Sequence, residues 1–160
     1  MKKFCAIVSG GCSLLVASAA SAAFTLASIR GPYIFDAAGT EVYAGDRFDV
    51  SGIGLVTFDG KGDYTGEETF TGTDGEGTTF VCSLSLTGRY QVNPDGTGTA
   101  TTDFTTTSGI CPNTTVTFSG VGTRDETDIE SVTTGATDAA ANGVANNINA
   151  LVLHTRFIKQ

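Results

Sequence analysis

From residue 80 to residue 92 the chain alternates without a break. Phe80, Cys82, Leu84, Leu86, Gly88, Tyr90 and Val92 fall on one phase. Val81, Ser83, Ser85, Thr87, Arg89 and Gln91, nearly all polar, fall on the other. A period of two sends successive side chains to opposite faces of a sheet, so this stretch is a half-buried strand. A repeated phrase borders it. Asp-Gly-x-Gly stands at 59–62, 74–77 and 95–98. Gly reaches positive φ freely and Asp tolerates it, so the phrase suits tight turns between strands. Its second Gly suits a bulge or a close backbone approach. The runs it joins are strand-like: 55–58 into 64–70, 70 into 80–92, and 92 into Ala100, Thr102 and Phe104. Three successive hairpins make a four-stranded antiparallel meander.

Calcium is the competing use of such a phrase. Asp59 and Asp63 flank Gly60-Lys61-Gly62, but the alternating oxygen ligands and closing Glu of an EF-hand are missing. The third copy lacks the second acid. A phosphate loop needs a helix after it, and none is suggested. Turns are therefore the expectation.

Further strands are expected at 29–36, with Tyr33 and Phe35 on one face, and at 115–122, with Val116 and Phe118. A weaker one covers 127–133, where Ile129 and Val132 are out of phase. The last covers 151–158, where Leu151, Leu153, Thr155 and Phe157 alternate with Val152, His154, Arg156 and Ile158. Residues 136–149, rich in Ala, Asn and Gly, read as a loop with room for a short helix over 138–145. The sum is an all-β chain of eight strands. An antiparallel up-and-down barrel is the expected fold, because closing the last strand on the first removes both edges. A Greek-key β-sandwich is the alternative.

Residues 1–22 read as a signal peptide: Lys2 and Lys3, an apolar run, then Ala20-Ser21-Ala22 as an A-x-A cleavage pattern. A membrane anchor and a lipoprotein anchor through Cys12 are the rival readings. Residues 23–160 then form a single β-barrel domain in the periplasm or outside the cell. Without Lys2 and Lys3, seven basic residues face 17 acidic ones. That balance argues against nucleic acid, which is bound by neutralising phosphates. No later stretch approaches a transmembrane span. Of the four cysteines, Cys82 and Cys111 would remain, and an even pair in an exported chain reads as a disulfide. One His and no Cys-x-x-Cys leave no metal site in view, and no cofactor is implied.

The stretch Gly-Arg-Tyr-Gln-Val-Asn-Pro-Asp-Gly-Thr-Gly-Thr, 88–99, resembles a segment of small secreted bacterial β proteins of unknown function. Gly-Pro-Tyr-x-Phe at 31–35 and Phe-Asp-Gly-x-Gly at 58–62 accompany it. The layout is similar to lipocalin-like barrels and to the allene oxide cyclase and dirigent barrels. What the resemblance implies is a barrel. The chain has no Trp, so a lipocalin Gly-x-Trp is absent, and no catalytic residue carries across.

Inside such a barrel Glu68 is the residue of interest. Tyr64, Gly66, Glu68 and Phe70 share one phase, which points Glu68 inward, where an unpaired carboxylate is costly. A bulge at Gly66 that turns Glu68 outward is the preferred reading; an inward acid lining a pocket is the other. His154 should face outward. Ten aromatic residues on interior phases suffice to fill an eight-stranded barrel, while Gly54, Gly88 and Gly98 would leave room. The first expectation for function is binding of a small apolar ligand, with Glu68, Tyr64 and Tyr90 as its polar contacts. A structural or surface-assembly protein with a filled core is the second, and a barrel cyclase or isomerase the third. Oligomeric state is not legible.

Overall fold

Eight strands follow one another in chain order around a closed antiparallel barrel, β8 pairing back onto β1. They are β1 (Arg30–Tyr43), β2 (Asp46–Asp59), β3 (Asp63–Asp74), β4 (Thr79–Val92), β5 (Thr97–Ser108), β6 (Thr114–Gly122), β7 (Asp128–Asp138) and β8 (Ile148–Lys159). The structure is a computed structural model that describes residues 23–122, 127–138 and 148–160. The barrel is the expected fold, and the sandwich alternative falls away because the sheet closes. The expected signal peptide lies outside the described residues, as does most of the span considered for a helix over 138–145. No helix among the described residues is long and apolar enough to cross a membrane.

The first strand outruns its expected end at residue 36. It continues through Ala37, Gly39 and Glu41, all on the inward phase of Tyr33 and Phe35, to a turn at Ala44-Gly45. Both turn residues have positive φ, 51° and 94°, which matches the twist of a two-residue hairpin. Small Ala and Gly conceal the alternation from a hydrophobicity reading.

The Asp-Gly-x-Gly phrases are turns, and the Asp side chain organises each. Asp59 Oδ1 accepts the backbone N–H groups of Lys61, Gly62 and Asp63 at 2.6, 3.0 and 3.0 Å. Asp74 Oδ1 accepts those of Glu76 and Thr78. Asp95 Oδ1 accepts the N–H and the hydroxyl of Thr97. The three turns differ in backbone. Both glycines have positive φ in the first, only Gly77 in the second and only Gly96 in the third.

The weak seventh strand is regular from Ile129 to Thr133, so its broken phase means only that Val132 faces outward; a bulge follows. Phe118 pairs with Thr133 and Thr117 with Gly135, so Thr134 is the extra residue. Ile129 and Ser131 face inward, Val132 outward, and Ala136 returns to the core after the bulge. Among the described residues the β7–β8 ladder runs only from Asp128–Ile158 to Val132–His154. Beyond it the Thr133 hydroxyl accepts the Leu153 N–H.

The two ends of the barrel differ. At the lower end the chain before β1 forms a 3-10 turn, Leu26–Ser28, and Leu26 packs against the core. The Tyr90 hydroxyl donates to Leu26 O at 3.1 Å and to Ile29 O at 2.8 Å, and Phe24 N–H donates to Pro94 O. At the upper end stand the β3–β4 and β5–β6 connections. There Cys82 on β4 and Cys111 in the β5–β6 loop form a disulfide, with Cα atoms 6.1 Å apart. Cys82 faces inward and is 1% exposed.

Candidate functional site: a two-chambered interior

Aromatic residues fill the lower half. Phe58 is their hub, with ring centroids at 5.3 Å from Tyr33, 5.0 Å from Tyr64, 5.0 Å from Tyr90 and 6.2 Å from Phe157. Such edge and tilted pairings add to the burial of the rings themselves. The expectation that Gly54 and Gly88 leave open room is corrected here. Gly54 faces Phe35 across the β1–β2 ladder, and Gly88 faces Tyr64 across β3–β4. The neighbouring ring lies over each glycine, where a Cβ would collide with it. Gly72 and Phe80 repeat the arrangement. Glycine here accommodates a ring from the next strand.

What space remains below follows a belt of small side chains. Gly52 pairs with Ala37, Ala37 with Thr155, Thr155 with Ser131, Ser131 with Gly120 and Gly120 with Gly98. Register links them across six strands, and all but Gly52 border a lower cavity of about 80 Å³. Gly98 thus keeps its expected part in leaving room. Ser131 Oγ and Thr155 Oγ1 on this belt are buried with no hydrogen-bond partner among the described residues.

The upper half is roomier. A chamber of about 340 Å³ lies there, within the range of small-ligand sites. Its wall is mostly apolar: Phe70, Phe80, Leu84, Phe104, Val116 and Leu153 contribute. Glu68 stands between the two cavities and borders both.

The bulge expected at Gly66 is absent. Gly66 pairs in continuous register with Val56 on one side and Leu86 on the other. A Cβ at Gly66 would crowd the Val56 side chain, so a close neighbour accounts for the glycine. Glu68 keeps its inward phase, is 6% exposed, and lays Oε1 over Gly52. No hydrogen bond or ion pair reaches its carboxyl from the described residues. Burial pushes that carboxyl up to about 8, because removal from water disfavours the charged form.

The other two candidates border the lower cavity, and both hydroxyls have internal partners. Tyr64 hydrogen-bonds to Thr102, and burial pushes its phenol up to about 12. Tyr90 holds the N-terminal turn. His154 is exposed, as its phase implies. The sequence reading missed Glu41, Tyr43 and Phe48, which line the upper chamber. The signal for Glu41 and Tyr43 was the period-two continuation of the first strand past Asp36, and for Phe48 its shared phase with Val50, Val56 and Phe58 on the second. Among the described residues no group of three or more His, Cys, Asp or Glu side chains converges as a metal site would need.

The closed eight-stranded architecture agrees in general with a lipocalin-like barrel. No family model, curated protein or solved structure matches the chain.

Proposed function

We propose that this barrel binds a small, mostly apolar ligand in the upper chamber and does so as an exported protein. The supporting observation is the contrast between its two halves. Phe58 and its neighbours pack the lower half, while the upper half keeps about 340 Å³ between apolar walls. Interiors pack to the density of organic crystals, so a chamber of that size in a chain with aromatic residues to spare is a feature of the fold. Glu68 supplies a polar contact at its floor. Tyr64 and Tyr90 border the lower cavity on the other side of Glu68. The disulfide supports an oxidising setting, periplasmic or extracellular.

Titration with Nile red, an uncharged apolar dye, tests the reading. Saturable, blue-shifted emission is expected from the folded protein. Leu151→Trp, which fills the chamber from β8, should abolish it while leaving the far-ultraviolet circular dichroism of the barrel intact. No saturable binding in the wild-type protein would refute the proposal and favour a structural role.

A further inference from the structure

The charge on the chamber wall has one sign. Glu41, Glu68 and Asp74 line it, and no Lys, Arg or His does so among the described residues. Arg30, Arg47, Lys61, Arg89, His154 and Arg156 are all exposed. Lys159 stands at the other end of the barrel, 5.8 Å from the centre of the Tyr33 ring. Five aromatic rings share the wall with the acids: Tyr43, Phe48, Phe70, Phe80 and Phe104. Aromatic faces attract cations, and more strongly where water is excluded. The formal charge of the whole chain is −8, which draws cations toward the protein and repels anions.

An acidic wall alone would select nothing. Glu68 adds the independent observation. It is buried, aimed into the interior and without a partner among the described residues. A buried carboxylate is costly until a cation meets it. A ligand cation would be that partner, and charge-assisted hydrogen bonds are the stronger kind.

Resting on the apolar-ligand reading, we propose that the ligand is an amphiphilic amine, its apolar body among the aromatic rings of the upper chamber and its protonated nitrogen against Glu68. The unliganded carboxyl holds its proton near neutrality. An arriving ammonium group displaces that proton, so one proton passes to solvent for each ligand bound. Affinity for the amine therefore rises with pH until Glu68 is ionised in the free barrel. Among the described residues, the other titratable groups lining the two cavities that Glu68 borders are Glu41 on β1, Asp74 and Tyr43 at the rim, and Tyr64 on β3 and Tyr90 on β4 below it. Among the described residues, β2, β4, β5, β6 and β8 send only uncharged side chains into the chamber.

Three probes with one tail decide the matter: decylamine, decanol and decanoate, each displacing Nile red from the intact protein. Decylamine should bind at least about tenfold more tightly than decanol, and decanoate most weakly. In Glu68→Gln the amine should fall to within about twofold of decanol, whose own affinity stays unchanged. In the wild-type protein, amine affinity should climb by up to about tenfold per pH unit below the carboxyl's own titration, while decanol stays flat. That pH profile stands even if the variant folds poorly. A flat amine profile, or equal binding of amine and alcohol, would overturn the inference and leave the apolar-ligand reading in place. Failure of Nile red and of all three probes would remove both.

Discussion

Glu68 Oε1 occupies the space that a Cβ at Gly52 would fill, diagonally across the β2–β3 ladder. The glycine makes the berth, and the acid lies in it without a partner among the described residues. Between the usual carboxylate range and about pH 8 the folded chain keeps a proton that the unfolded chain has released. The unfolded state then binds fewer protons, so stability falls as pH rises through that window, by up to about 1.4 kcal/mol per pH unit. Glu68→Gln should remove this slope. Urea unfolding at several pH values should show the variant gaining on the wild-type protein from acid toward pH 8. Parallel curves would show that the carboxyl is solvated or paired.

Gly88 and Tyr64 give a steric counterpart. A methyl group at residue 88 would meet the tyrosine ring and the Thr101 carbonyl oxygen, the latter at 2.6 Å. Gly88→Ala should cost about 1–3 kcal/mol, the usual penalty for overpacking, and should disturb the Tyr64–Thr102 hydrogen bond. Equilibrium denaturation measures the loss. An unchanged midpoint would mean that the ring moves aside at no cost.

Tyr90→Phe removes the hydroxyl that holds Leu26 O and Ile29 O. The ring can stay, so the loss should be about 1–2 kcal/mol. Its local signature is faster hydrogen exchange and earlier proteolysis at residues 24–29, with the β2–β3 ladder unaffected. Uniform weakening of the barrel would contradict the role assigned here.

Cys82 and Cys111 close a span of 29 residues. Removing the bond, by reductant or by paired replacement with Ala, should cost about 3 kcal/mol in the chain-entropy account. Mass spectrometry of alkylated native protein should find neither thiol labelled. Labelling of both without reductant would refute the bond.

Asp59 serves more backbone donors than either of its counterparts, so Asp59→Ala should lower the melting temperature more than Asp74→Ala or Asp95→Ala. Hydrogen bonds hold all three carboxyls below the usual range, the Lys61 N–H first for Asp59, the Thr78 N–H for Asp74 and the Thr97 hydroxyl for Asp95. Their contribution is present at neutral pH and is lost as pH falls through those lowered values. Calcium should leave the melting temperature unchanged at micromolar concentrations; a rise that Asp59→Ala abolishes would reassign the first turn as a calcium site.

The sequence by itself determined the number of strands and their order, though not where each ends. Period two over residues 80–92 and the Asp-Gly turns are local signals, because pleat and positive φ act within a few residues. Antiparallel neighbours joined by short turns then have little choice but to pair in sequence, so the barrel and the inward phases of Cys82 and Tyr64 were legible. Only the tertiary structure decided what those phases enclose. Whether Gly66 marks a bulge depends on Val56 and Leu86, one strand away on either side. Whether Gly54 and Gly88 are gaps depends on Phe35 and Tyr64, which reach across to cover them. The belt from Gly52 through Thr155 to Gly98 exists only as register, since its members are scattered over more than a hundred residues. A chamber is the volume left when every neighbour has been placed. That is why the upper cavity, and Glu68 on its floor, appeared only once the sheet had closed.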